Sequence, residues 1–278
     1  MIRALTAPGY IYSAVKDDAK SQAFFEDQYL RFVDRYDDVL ADDPALHDMG
    51  KLIGYTYFHA LRYNWERFSK PDNLPELVTM GDKGFEWKFI KGSMTSDSII
   101  YGFGVGMNIT FEQELAAHAG TVVHCFDPTP QAIGHGERTA AKDPGILFYP
   151  LGIYSEDGVI EFFIPHQEGV GSMSALNLSY SEESIKGEVK TLPSIMKMLG
   201  HDHVDLLKID IEGAEHTVLD SILKTGPLPT QLCVEFDMPI PPWVIDATIR
   251  KLLLADYLMV EVWGLNCLFV QRSMLDAA

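Results

Sequence analysis

The residues best suited to chemistry crowd one junction of the chain. In LLKIDIEGAEHTVLDSIL, Leu206 to Leu223, an apolar run carries Lys208 and ends at Asp210, and Glu212 and Glu215 follow on either side of Gly213. The run reads as a buried strand and the segment after Gly213 as a helix. Three carboxylates therefore stand where a strand passes into a helix, the place at which α/β proteins keep their ligands. Acids in the first turn of a helix are also favoured by its dipole and free N–H groups, by roughly 0.3–1 kcal/mol each. That accounts for Glu215 as a cap and leaves Glu212 open between capping and substrate contact. Lys208, inside the strand, is expected in an ion pair with a carboxylate rather than as a catalytic amine. Glu235 and Asp237 end the next apolar run, LCVEFD. Carboxylates on adjoining strand ends can hold Mg²⁺, but the dense aspartate clustering of such sites is missing. No metal is expected, and Glu235 is retained as a substrate contact.

A second constellation lies a hundred residues earlier. Gly102, Gly104 and Gly106 sit where the apolar segment SIIYGFGVG gives way to helical sequence. Glycine there permits positive φ and close approach of backbone to a ligand, and the helix start behind it offers free N–H groups. The G-x-G-x-x-G dinucleotide pattern is not met, because Met107 stands where the third glycine would fall. Asp127 ends the following strand about 20 residues on, where an acid that accepts both ribose hydroxyl protons belongs. Alone, the aspartate would be read as the start of the Pro128 turn. Together the two features point to a nucleoside-type ligand across neighbouring strand ends.

The elements that must position these residues alternate. From Ser98 onward, strands SIIYGFGVG, TVVHCFDPTP, GILFYPLGIYS, VDLLKID and QLCVEFD are separated by helical stretches, with an extra strand GVIEFFIP and an irregular loop from His166 to Ser184. LMVEVWGLNCLFVQR at the end reads as a hairpin turning at Gly264. Repeated β-α units mean a mainly parallel sheet covered on both faces, with one antiparallel strand added by the hairpin. The first part differs. AKSQAFFEDQYLRFVDRYDDVL places apolar residues at three- and four-residue spacing, and Pro71 and Pro75 mark a linker. The expected division is an N-terminal helical region over residues 1–79 and an α/β domain over 80–278.

The segments IIYGFGVGMNITFE, VVHCFDPTP, YPLGIYSEDG, LLKIDIEGAEHTVL and LCVEFD follow one another as in the FkbM-like family of S-adenosylmethionine-dependent methyltransferases, which the chain resembles from about Ser98 to Asp237. The resemblance implies a Rossmann-like class I methyltransferase sheet, S-adenosyl-L-methionine as cofactor, and methyl transfer to a hydroxyl of a small molecule such as a secondary metabolite or sugar. N-methylation of an amine is the nearest alternative. It implies that Gly104 and its neighbours Gly102, Phe103, Gly106, Asn108 and Thr110 meet the methionine part, that Asp127 with Pro128 holds the ribose, and that Leu151 and Gly152 lie by the adenine. Asp210 would face the methyl group as base or as the group that orients the acceptor. Glu212 and Glu235 stand beside it, and His166 is a reserve base in the loop over the substrate. The chain departs from the resemblance at Gly102. Many relatives carry an acid there that would contact the cofactor's amino group, so another residue must replace that contact or binding is weaker.

Forty acids against 22 bases, a formal charge of −18, oppose nucleic acid and anionic lipid as partners. Cys125, Cys233 and Cys267 lie in apolar segments without zinc spacing and read as reduced core cysteines. No run approaches the length of a membrane span, and a cytoplasmic location is expected. The helical region is expected to form part of the acceptor pocket or a homodimer interface. His216 could face the site, as could Lys83 and Trp87 from GDKGFEWKF. A nicotinamide-dependent oxidoreductase and a non-catalytic binding protein are the rival classes.

Overall fold

The computed structural model describes residues 75–164, 172–176, 181–237 and 242–276. The helical region expected over 1–79 lies, up to residue 74, outside the described residues, as does His166. The chain enters as a hairpin, β1 (Leu77–Met80) and β2 (Trp87–Ile90), so the expected boundary at 79/80 falls inside a strand. Then follow β3 (Ile100–Phe103), α1 (Thr110–Ala119), β4 (Val123–Phe126), α2 (Pro130–Ala140) and β5 (Ile146–Tyr149). A smaller unit comes next, of β6 (Gly152–Ile153), β7 (Gly158–Phe163), β8 (Ser184–Lys190) and α3 (Leu192–Leu199). The chain continues through β9 (Leu206–Ile209), α4 (Glu215–Thr225), β10 (Gln231–Glu235), α5 (Pro242–Leu254), β11 (Tyr257–Trp263), β12 (Asn266–Gln271) and a short α6 (Arg272–Asp276).

Seven strands form the main sheet in the order β11-β12-β10-β9-β3-β4-β5. Strands β3, β4, β5, β9 and β10 pair in parallel, and β12 runs antiparallel to both neighbours. This is the mainly parallel sheet with one antiparallel strand near the C-terminus that the β-α alternation and terminal hairpin predict. Continuous apolar runs such as LLKI and IYGF suit strands covered on both faces. One face packs against α3, α4 and α5 through Ile195, Leu219, Ile222, Ile249 and Leu252. The other packs against α1 and the β1–β2 hairpin through Leu115, Phe111, Trp87 and Phe89. Cys125, Cys233 and Cys267 are free and buried in this core. Among the described residues no helix is long and apolar enough to cross a membrane.

Two departures from the sequence reading matter for the site. The expected third strand breaks at Pro150, and its second half, β6, joins β8 and β7 in a separate three-stranded sheet. The sequence marks β8 only weakly, because Gly187 interrupts the alternation of Ile185 and Val189 with charged residues. A Cβ there would come within 2.7 Å of the Phe162 ring and 2.9 Å of Pro128, so the strand packs at this position by lacking a side chain.

Candidate active site

The sheet order reverses at β3 and β9. From β3 the chain winds outward through β4 to β5, and from β9 it winds the other way through β10. At such a switch point the connections diverge and leave a crevice beyond the strands' carboxyl ends. The two strand ends are drawn together by Gly104, which stands at φ +72° with the main-chain oxygen of Asp210 where its Cβ would be. Gly104 N–H donates to Phe126 O at 3.0 Å, and Asp210 N–H to Phe103 O at 3.3 Å.

A cavity of about 680 Å³ opens over this junction, within the range of small-molecule sites. Of the residues expected there, Phe103, Gly104, Gly106, Asn108, Asp127, Pro128, Gly152, Asp210, Glu212 and Glu235 line its wall. Three do not. Gly102 lies in β3 beneath Glu112. Thr110 starts α1 and is spent on structure: its hydroxyl donates to Asn108 Oδ1 at 2.6 Å and accepts from Asp82 N–H at 2.9 Å, tying the hairpin loop to the helix. Leu151 is packed into the core, and the cavity is lined by Gly152 and Ile153 instead. Asp127 does more than start a turn. Its Oδ1 accepts from the N–H and hydroxyl of Thr129, and its Oδ2 accepts from Gly106 N–H at 3.0 Å. The aspartate thus binds the glycine loop to β4 and still borders the cavity with one bond on Oδ2. Burial raises its pKa against the pull of those donors.

Lys208 is the structural cation that the sequence predicts, and its surroundings decide the electrostatics. Its Nζ lies 3.4 Å from Asp210 Oδ2 and 3.6 Å from Glu112 Oε1, under the ring of Trp87. Burial opposes its charge, and the carboxylates of Glu112 and Asp210 more than offset that, so its pKa stands above the ordinary lysine value. Glu235, at the end of β10, is pushed up to about 8 by burial and then by the charges of Asp210 and Glu212. Glu212 is raised by burial, with Ser172 donating to it. Its backbone is left-handed at φ 57°, and its carbonyl accepts from the Ser174 hydroxyl. Glu212 borders the cavity, and Glu215, expected as a cap, instead braces the turn before α4, whose start carries no side-chain cap bond. The Glu215 Oε1 accepts from Ile211 N–H at 3.0 Å and Gly213 N–H at 3.1 Å, which closes the turn between β9 and α4.

Other expectations resolve plainly. Trp87 lines the cavity and Lys83 does not. His216 turns away from it: Nδ1 pairs with the Thr248 hydroxyl at 2.8 Å and the ring stacks on Phe236, between α4 and α5. The residue that sequence reading missed is Glu112, in α1, a buried acid beside Lys208 that lines the cavity. Its place in the helix pattern marks it as a solvated first-turn acid, and only the packing of α1 on β3 buries it. Among the described residues, no group of three or more His, Cys, Asp or Glu side chains is arranged to hold a metal ion.

A doubly wound sheet of this strand order, with its one antiparallel strand and its cavity across the switch point, defines the class I methyltransferase architecture. The chain belongs to the methyltransferase FkbM domain family, whose model matches residues 104–253, more than half of its length. Among solved structures it is similar to a methyltransferase FkbM from Methylobacillus flagellatus KT, at 14% identity and a TM-score of 0.42, over 88% of this chain and 60% of that one. The chain thus spans about 60% of that neighbour's length. No curated protein matches it.

Proposed function

We propose that the protein moves the methyl group of S-adenosyl-L-methionine to a hydroxyl of a small molecule. The observation that carries this reading is the carboxyl-rich wall of the cavity. Among the described residues, Glu112, Asp127, Asp210, Glu212 and Glu235 line it against one basic residue, Lys208, which is already paired. Such a wall suits a cationic ligand and repels the diphosphate of a dinucleotide, so it favours the sulfonium cofactor over a nicotinamide one. The residues fit the group. Asp127 borders the cavity where a ribose would lie, and Gly152, Ile153 and Phe162 offer a slot for a base beside it. Gly104 lets the main chain close under the remaining end.

When bound, S-adenosylmethionine supplies a methyl group already activated by its sulfonium. The protein's work is alignment and handling of a proton. The ion pair with Lys208 fixes Asp210 at the strand end, so Asp210 orients the acceptor hydroxyl. Glu235 is the better base. It lines the cavity, and its carboxyl is tuned up to about 8, near the range where a base both takes a proton and is free to do so. Glu212 offers a further acceptor for the substrate from its left-handed turn.

Incubation with labelled S-adenosylmethionine and a metabolite extract tests the reading. Label is expected on a hydroxyl-bearing small molecule, and cofactor binding without any labelled product would refute the catalytic claim. The same carboxylates would attract a protonated amine, which makes N-methylation the second reading; label on nitrogen would establish it.

A further inference from the structure

One cavity-lining acceptor has no role in the transfer described above. Glu112 sits in the first turn of α1 at 1% exposure, and its Oε1 accepts no hydrogen bond. Its nearest cation, Lys208 Nζ, is 3.6 Å away, beyond the roughly 2.7–2.9 Å of a charge-assisted hydrogen bond. Lys208 does not close that gap because it is shared: Asp210 Oδ2 and Gly104 O each lie 3.4 Å from the same nitrogen. Two carboxyl groups share one ammonium, and burial raises the Glu112 carboxyl above its ordinary value, so a second cation beside it would be favoured. A buried oxygen without a donor is costly unless a ligand brings one.

Gly102 shows that this placement depends on its neighbour. A Cβ on Gly102 would lie 2.9 Å from Glu112 Oε1 and 3.2 Å from its Cγ. The strand thus gives up its own side chain, and a carboxylate from the helix fills the space. That oxygen lies beneath the glycine loop at the end of β3, whereas Asp127 stands at the end of β4. A nucleoside whose sugar rests at β4 therefore extends its other end toward Glu112.

We propose that Glu112 receives the α-ammonium group of the cofactor, an assignment that rests on the S-adenosylmethionine reading. The ammonium supplies the donor that Oε1 lacks and the positive charge that Lys208 leaves wanting. The alternative is that Glu112 serves Lys208 alone.

Calorimetry on the full chain separates the two, with S-adenosylhomocysteine and methylthioadenosine as ligands, the second lacking the amino-acid end. Glu112→Gln is expected to weaken S-adenosylhomocysteine about 10–100-fold and to leave methylthioadenosine within about twofold. Equal loss on both ligands, or loss on neither, overturns the assignment while the cofactor reading stands. Failure of the wild-type chain to bind either ligand overturns both. Should Glu112→Gln not fold by circular dichroism, Glu112→Ala combined with Gly102→Asp returns a carboxylate to the vacated space from the strand side. That double variant is expected to recover the preference for S-adenosylhomocysteine, and a folded double variant without it refutes the proposal.

Discussion

The main-chain oxygen of Asp210 occupies the space that a side chain on Gly104 would need. The carboxyl ends of β3 and β9 meet because this one residue makes no steric demand and accepts φ +72°. Gly104→Ala would impose both the clash and the left-handed penalty, and is expected to cost about 2–4 kcal/mol in urea denaturation. It should also spread the strand ends and weaken S-adenosylhomocysteine more than tenfold, on the order of 1.4 kcal/mol. Wild-type stability in the variant would show that the strand ends can part without cost.

Glu235 sets the expected pH dependence of turnover. With its carboxyl pushed up to about 8, the base form grows as pH rises through that value. The kcat/KM for a hydroxyl acceptor should therefore climb to a plateau above it. Glu235→Gln is expected to lower kcat by about 10²–10⁴-fold and to remove that limb of the profile. A variant that keeps the limb would assign it to another group.

Stability should respond to pH through Glu215 and Asp237. Glu215 Oε2 and Asp237 Oδ2 are both buried without a donor, and burial followed by mutual repulsion raises the Asp237 carboxyl; burial likewise raises Glu215. The pair is satisfied when it shares a proton. Because the folded values lie above the ordinary ones, the contribution is fully present below about pH 4 and is lost as pH climbs through the folded values. Asp237→Asn gives Glu215 a permanent donor. It is expected to gain about 1–2 kcal/mol near pH 8 and almost nothing near pH 4, read by denaturant melts at both. Equal effects at the two would sink the shared-proton account.

Glu212 separates strain from function. Its φ of 57° costs a residue with a side chain about 1 kcal/mol. Glu212→Gly should therefore hold or raise thermal stability while raising the KM for the acceptor, with S-adenosylhomocysteine affinity unchanged. Lower stability would mean that the carboxylate's bond with Ser172 outweighs the strain, and an unchanged KM would remove Glu212 from the acceptor site.

Much of this architecture is legible before any tertiary contact is known. The strands IYGF, VHCF, LLKI and QLCVE announce themselves because a parallel strand buried on both faces must be apolar throughout. The hairpin β1–β2 does not, since its strands of four residues follow directly on the Pro71–Pro75 linker and are too short to show a period. β8 is marked only weakly, since Gly187 breaks the alternation of Ile185 and Val189. In the site, residues at strand ends were readable: Gly104, Asp127, Asp210 and Glu235 all reach the cavity. Leu151 and Thr110 lie off the cavity wall, because one-residue steps along an extended chain reverse the direction of a side chain and a first-turn hydroxyl has a loop to hold.

The order of strands and helices, the glycines between them and the acids at the strand ends follow from the sequence alone, because each is a local demand of burial period or backbone conformation. Which carboxylates share a cavity is decided only by the folded sheet. Glu112 and Asp210 are far apart in sequence and face one lysine because α1 lies over β3 and β3 pairs with β9. Glu212 and Glu215 are near neighbours that part ways, because the turn at Gly213 sends one toward the ligand space and folds the other back on its own backbone. Charge interactions over a few ångströms depend on that arrangement and on the water it excludes, and neither is written in the spacing of residues along a chain.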